Sequence, residues 1–224
     1  MNRNALKIIA VVSMLIDHIG WQFFPDAIWL RIIGRIAFPI FAFFIAQGMF
    51  YTRSRKKYIL NMLWIGLVSQ VPYTFLSSRM YNLNIMFSFI IAALIIVLIE
   101  ELKKKPNVGY SILLGIIFVV AELLSAFSIL SYGILGVLLV LCFYFIKSKG
   151  WSFAVAAVLI VLMTVKDVLR SGFAFDNIIQ IFSLLSLTIL LLYNGGKGKA
   201  NLKYMFYIFY PAHLAIILLI VLLI

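Results

Sequence analysis

Asp17 and His18 stand side by side inside an apolar run that begins at Ala5 and ends near Phe24. A run of that length can cross a bilayer, and ionisable side chains are costly there, so the pair points to chemistry rather than to packing. His offers a proton donor and acceptor near neutrality, and Asp a fixed negative charge. Counting from Ala5, Asp17 lies ~18 Å along the helix, in its far third. Adjacent residues on a helix diverge by about 100°, so the two cannot simply bond each other. Asp17 shares a face with Ser13 and Ala10, and His18 shares one with Met14 and Val11. Each needs a partner from another helix.

Other polar residues interrupt apolar segments. Arg35 falls inside the second segment, and Arg31 precedes it by one turn on the same face. His213 follows Tyr210-Pro211 in the last segment; it reads as an interhelical donor or as a second candidate base. Gln70 and Asn84 fit interhelical glue as well as a substrate-binding polar cluster, which Glu122 would join. Lys166 and Asp167 lie near a segment end, where long side chains snorkel to the surface. Arg53, Arg55, Lys56 and Lys57 follow the second segment as a basic run. Such a run marks topology, or captures phosphate. Pro39 and Pro72 each delete a backbone hydrogen bond within a span, tolerable where neighbouring protein supplies a replacement.

These residues must be positioned by membrane helices. The chain has 224 residues, 65% of them hydrophobic and 12% charged, and its mean hydropathy is +1.15. A soluble domain cannot bury that much apolar surface, so the fold class is an all-α, polytopic membrane helical bundle. Nine segments are expected, at 5–24, 29–51, 57–76, 84–101, 109–127, 130–147, 152–170, 177–193 and 204–224. The first is kept as a spanning helix and not a signal peptide, because Asp17-His18 interrupts the place of a cleavage region.

Charge then sets the orientation. Arg3, Lys7, Arg53, Arg55, Lys56, Lys57, Lys103, Lys104, Lys105, Lys147, Lys149, Lys197, Lys199 and Lys203 fall on one side; Arg31, Arg79 and Arg170 fall on the other. The positive-inside rule puts the N-terminus in the cytoplasm and the C-terminus outside. It also accounts for the net charge of +12 without nucleic acid. Trp21, Tyr81, Tyr110, Trp151 and Tyr204 sit near segment ends, as interfacial anchors do. The single Cys142 excludes an intrachain disulfide, and no metal-ligand spacing, P-loop or dinucleotide fingerprint is present. No linker or internal repeat divides the chain, so residues 1–224 read as one domain.

Four stretches carry a family resemblance: LKIIAVVSMLIDHIG, then GRIAFPIFAFFIAQGMFYTRSRKKYILNMLWIGLVSQVPY, NLNIMFSF and FYIFYPAHL. Together they resemble the TraX family over essentially the whole chain. One departure is visible: before Tyr132-Gly133 the chain has Ser131, where many relatives carry Asp. The resemblance implies a multi-pass protein of a bacterial-type cytoplasmic membrane, associated in this family with N-terminal acetylation of conjugative pilin. It also implies kinship with heparan-glucosaminide N-acetyltransferase and the O-acetylases of surface polysaccharides. Such enzymes move an acyl group from cytoplasmic acyl-CoA (acetyl-CoA as co-substrate, no metal) to an acceptor outside, a small protein or a glycan, with a buried histidine central.

On that expectation His18 is the general base, Asp17 an electrostatic or structural support, and Arg35 balances Asp17 or faces the oxyanion. Arg53–Lys57 hold the CoA phosphates. Two other classes use similar residues. A proton-coupled transporter needs intramembrane Asp, His and Arg, but binds no acyl-CoA. A non-catalytic membrane component of a conjugation or secretion apparatus needs its loops and tolerates loss of His18.

Overall fold

The protein is described from a computed structural model, which describes residues 1–77, 80–196, 198–200, 202 and 204–224, with only the backbone of Phe206. Arg79, Lys197 and Lys203 of the charge pattern lie outside the described residues.

Eleven helices and one 3-10 segment follow each other among the described residues, with no strand. They are α1 (Arg3–Phe23), α2 (Ile28–Gly34), α3 (Ala37–Tyr51), α4 (Arg55–Leu76), α5 (Ile85–Lys104), α6 (Val108–Ala126), α7 (Gly133–Phe145), α8 (Lys149–Ser171), α9 (Phe175–Ile178), the 3-10 segment Ile179–Leu184, α10 (Leu185–Leu191) and α11 (Met205–Leu223). Several starts carry side-chain caps that satisfy free N–H groups of the first turn. Asn2 accepts from Ala5, Ser54 from Lys57, Asn84 from Met86 and Asn107 from Tyr110. Among the described residues six stretches are long and apolar enough to cross a membrane, counting Ile28–Tyr51 as one, and three shorter apolar helices stand where the remaining segments were expected. The all-helical membrane bundle expected from composition is what the chain forms.

Two expected spans are broken. The second is interrupted at Arg35 and Ile36, between α2 and α3. Pro39 explains the break: it has no N–H to give the Arg35 carbonyl, which lies four residues back. The Ser183 hydroxyl donates to that carbonyl instead, at 3.0 Å. The eighth span is not one helix but α9, the 3-10 segment and α10. Gln180, Ser183 and Ser186 repeat every three residues, the period at which 3-10 side chains eclipse, and all three are buried.

The chain packs as two compact units, 1–41 with 148–224 and 42–147. In the first, Gly20 and Gly34 let α1 and α2 approach. A Cβ on Gly20 would sit 2.6 Å from the Leu30 Cβ, and one on Gly34 would overlap the Asp17 side chain. α11 runs parallel to α1. Lys7 donates to the Leu202 carbonyl (3.1 Å) and Asn4 to that of Ala200 (2.8 Å), both at the amino-terminal ends of the two helices.

In the second unit α5 buries Phe89, Ala92, Ala93, Ile95 and Ile96 almost completely, and α7 buries most of its thirteen residues. α6 presents Ile112, Ile116, Val119 and Leu123, all more than half exposed, as a lipid-facing stripe does. The Ser131 hydroxyl donates to the Leu83 carbonyl (2.6 Å), and Ser88 donates to the Ser131 carbonyl (2.7 Å). Tyr132 then turns the chain into α7 with a φ of 59°.

Candidate functional site

The close approach of α1 and α2 sets Asp17 against both arginines. Its carboxylate lies 2.9 Å from Nη1 of Arg31 and 2.6 Å from Nη2 of Arg35, and Arg31 also donates to the Asp17 backbone carbonyl at 3.0 Å. Arg31 and Arg35 are one turn apart on the same face, as their spacing required. All three side chains are largely buried, at 22% exposure or less. Asp17 thus pairs with both arginines at once, and Asp167 of α8 also interacts electrostatically with Arg35.

The 3-10 segment braces this cluster. Arg35 Nη1 lies 3.4 Å from Gln180 Oε1, Gln180 donates to the Ser183 hydroxyl at 2.8 Å, and Ser183 returns to the Arg35 carbonyl. Ser186 donates to the Ser183 carbonyl. Arg35 is thus held at its head and at its backbone by one short element. Gln180 and Ser183 do not stand out in the sequence as site residues; their three-residue spacing in an apolar segment is the available signal.

His18 takes a different partner, as its position on α1 demanded. Its Nδ1 lies 2.7 Å from Nε2 of His213, and the two ring planes are within 16° of parallel with centroids 4.9 Å apart. His213 is 4% exposed, and Phe209 stacks against it at 4.8 Å. Nδ1 of His213 lies 2.8 Å from the Phe209 carbonyl oxygen. A carbonyl only accepts, so Nδ1 of His213 carries a proton. With both rings neutral, Nε2 of His213 is then the acceptor and Nδ1 of His18 the donor. Nε2 of His18 is left as the basic end of the relay, and among the described residues it makes no hydrogen bond.

Of the remaining candidates, Arg53, Arg55, Lys56, Lys57, Gln70, Asn84 and Glu122 lie in the second unit, and Lys166 and Asp167 in the first. Arg53, Lys56 and Lys57 are exposed around the start of α4, whereas Arg55 donates to the Tyr144 hydroxyl at 2.8 Å and to the Met49 carbonyl at 3.4 Å. Gln70 and Asn84 form glue between α4 and α5. Asn84 donates to Gln70 Oε1 (2.9 Å) and to the Gly66 carbonyl (2.8 Å), and Gln70 donates to the Asn82 carbonyl (2.7 Å). Glu122 is exposed on α6. Lys166 and Asp167 on α8 are half-buried. Among the described residues no group of three or more His, Cys, Asp or Glu is placed to hold a metal ion.

Comparison with known proteins adds to this geometry. The family model described as "TraX protein" matches residues 2–221. A "Probable fimbrial assembly protein FimC, serogroup H1" from Dichelobacter nodosus is 26% identical over 231 residues, covering 95% of this chain and 92% of the relative. A "Protein TraX" from Escherichia coli is 26% identical over 218 residues, covering 96% of this chain and 85% of the relative. No solved structure matches the chain.

Proposed function

The chain belongs to the TraX family, and from that premise we propose that it is a transmembrane acyltransferase. It takes an acyl group from cytoplasmic acyl-CoA to an amine or hydroxyl acceptor on the far side of the cytoplasmic membrane. The observation that carries the reading is the His18–His213 pair, a proton-accepting relay in an apolar bundle beside the doubly ionic Asp17.

The chemistry is as follows. The acceptor N–H or O–H gives its proton to Nε2 of His18 as its lone pair attacks the thioester carbon. The positive charge gained by His18 is spread to His213 through the 2.7 Å contact, and the Phe209 carbonyl fixes the tautomer of His213. The carbonyl oxygen becomes an oxyanion, for which the guanidinium groups of Arg31 and Arg35 are the cationic stabilisers. Collapse breaks the C–S bond, and the CoA thiolate takes up the proton from the imidazolium. Asp17 keeps the two arginines in place rather than orienting His18.

The donor end is assigned to the basic run. Arg53, Lys56 and Lys57 are exposed cations suited to the CoA phosphates, and Arg55, tied to Tyr144, anchors the run to the end of α7. The acceptor is an envelope molecule. The pilin acetylation that the family resemblance implies and a relative named for fimbrial assembly support a small envelope protein. That last name also supports a second reading, a non-catalytic assembly component.

One experiment separates these readings. Cells carrying wild-type protein, His18→Ala or no protein are compared by intact-mass analysis of envelope proteins, lipids and glycans. An acyl mass increment seen with wild type and absent with His18→Ala supports the enzyme. Assembly that proceeds equally with both, and no increment in either, supports the non-catalytic component.

A further inference from the structure

Tyr144, near the end of α7, is 5% exposed, and its hydroxyl accepts from Nη2 of Arg55 at 2.8 Å. A phenol also has one proton to give, and the Tyr144 O–H meets no acceptor among the described residues. Lys147 closes on the same tyrosine. Its Nζ donates to the Tyr144 carbonyl at 3.2 Å, and lies 5.3 Å from the centre of the Tyr144 ring and 4.4 Å from that of Phe50. Two cations from different elements thus share one buried tyrosine, all within the unit 42–147. Arg55 gives a second bond to the Met49 carbonyl at 3.4 Å, and neither it nor Lys147 has a carboxylate partner among the described residues. Glu100 acts electrostatically on Tyr144, but it is paired with Lys103 at 3.2 Å, and Glu101 with Lys104 at 2.7 Å. The unit's one other carboxylate, Glu122, stands near the far end of α6.

We infer that Arg55, Tyr144 and Lys147 form a seat for a phosphate monoester. The cluster offers guanidinium N–H groups, an ammonium and a phenol proton, and no acceptor to receive them. Two positive charges match the dianion of a monoester, whose three free oxygens can take all three donors. A carboxylate or a phosphodiester carries one charge and matches less well. Two sources present such a group at a cytoplasmic surface. One is the adenosine 3′-phosphate of CoA, a choice that rests on the acyl-CoA reading and leaves the exposed cations Arg53, Lys56 and Lys57 to the diphosphate. The other is a lipid with a bare phosphate head, phosphatidic acid.

Binding asks little of the protein. Lys147 is exposed, and its contacts with the rings are weak beside a charge-assisted bond to phosphate, so the ammonium exchanges one for the other. Tyr144 donates its proton to the ligand while still accepting from Arg55, which orients the guanidinium. Topology alone asks for positive charge at this end of the helices; it does not ask for a buried hydroxyl between two of the cations. Tyr144→Phe, which removes that hydroxyl and no charge, therefore separates a seat from a topology signal.

The test has two arms on the purified protein. In phosphatidylcholine nanodiscs, equilibrium binding of CoA is compared with that of dephospho-CoA, which lacks the 3′-phosphate. Wild type is expected to hold CoA about tenfold more tightly, and Tyr144→Phe and Lys147→Gln each to erase most of that ratio. Lys105→Gln, an exposed cation outside the seat, is expected to leave the ratio unchanged. In nanodiscs containing phosphatidic acid and phosphatidylglycerol, the lipid retained by the protein is counted by native mass spectrometry. A CoA ratio that depends on both residues supports the seat with the nucleotide as its source. No CoA ratio, with phosphatidic acid retained over phosphatidylglycerol by wild type and lost from both variants, supports the seat with lipid as its source. If neither ligand responds to Tyr144→Phe or Lys147→Gln, the inference falls, and CoA bound as tightly as dephospho-CoA leaves the acyl-CoA reading standing. If CoA does not bind at all, that reading falls and the lipid arm alone decides the seat.

Discussion

His18 Nδ1 lies 2.7 Å from His213 Nε2, and His213 Nδ1 lies 2.8 Å from the carbonyl oxygen of Phe209, four residues back on α11. The carbonyl at the end of this chain decides every proton position before it, and so directs the free lone pair of His18 to Nε2. His213 therefore acts through His18. His213→Ala should lower acyl transfer on the order of 10²-fold while acyl-CoA binding persists. His213→Gln, whose Oε1 can accept from His18, should recover part of that loss. Equal, near-native transfer by both variants would reduce His213 to a packing residue.

Asp17 has a heavier structural duty than its place beside His18 suggests. It balances Arg31 and Arg35 at once, with all three side chains largely buried. Removing one member of such a group leaves uncompensated charge, which costs about 3–5 kcal/mol. Asp17→Asn should therefore lower the unfolding midpoint in detergent sharply, while Arg31→Gln, which leaves the Arg35 pair, should be milder. Thermal unfolding of the purified variants measures both. A stable Asp17→Asn protein would show that the charges are met elsewhere.

Pro39 and Ser183 are expected to be coupled. Pro39 lacks the N–H that would reach the Arg35 carbonyl, and the Ser183 hydroxyl reaches it at 3.0 Å. Ser183→Ala should cost about 1 kcal/mol in the native background, and less when Pro39→Ala restores the backbone donor. A double-mutant cycle reads the difference. Additive losses would mean that the hydroxyl contact is incidental.

How far the sequence reaches is clear from particular residues. Helix geometry alone shows that Asp17 and His18 face different ways and take different partners, and hydropathy alone places the spans. Arg31 and Arg35 are legible as a pair from their spacing. The choice of His213 for His18 is not, because it depends on which helices touch, and 195 residues separate the two. The break at Arg35 is half legible: Pro39 announces a missing hydrogen bond, but hydropathy runs through it as one span. Gln180 and Ser183 are hidden because small polar residues in apolar helices serve packing as often as a site.

Topology is tested by single cysteines. Those introduced at Arg170, at the exposed end of α8, should react with impermeant thiol reagents in intact cells, and those at Lys104 should not. Strong labelling at Lys104 would reverse the assignment of the basic run at Arg53–Lys57 to the cytoplasm, and with it the side from which the donor comes.

The central claim, that His18 is the base of an acyl transfer, is tested most directly by His18→Ala. The substitution removes a neutral ring and leaves a small cavity, so folding damage should be limited. Purified, monodisperse protein should bind acyl-CoA as wild type does, yet transfer should fall ~10²–10⁴-fold, the usual cost of losing a general base. Recording CoA binding and transfer on the same samples separates chemistry from misfolding. Near-native transfer by a folded His18→Ala protein would contradict the account.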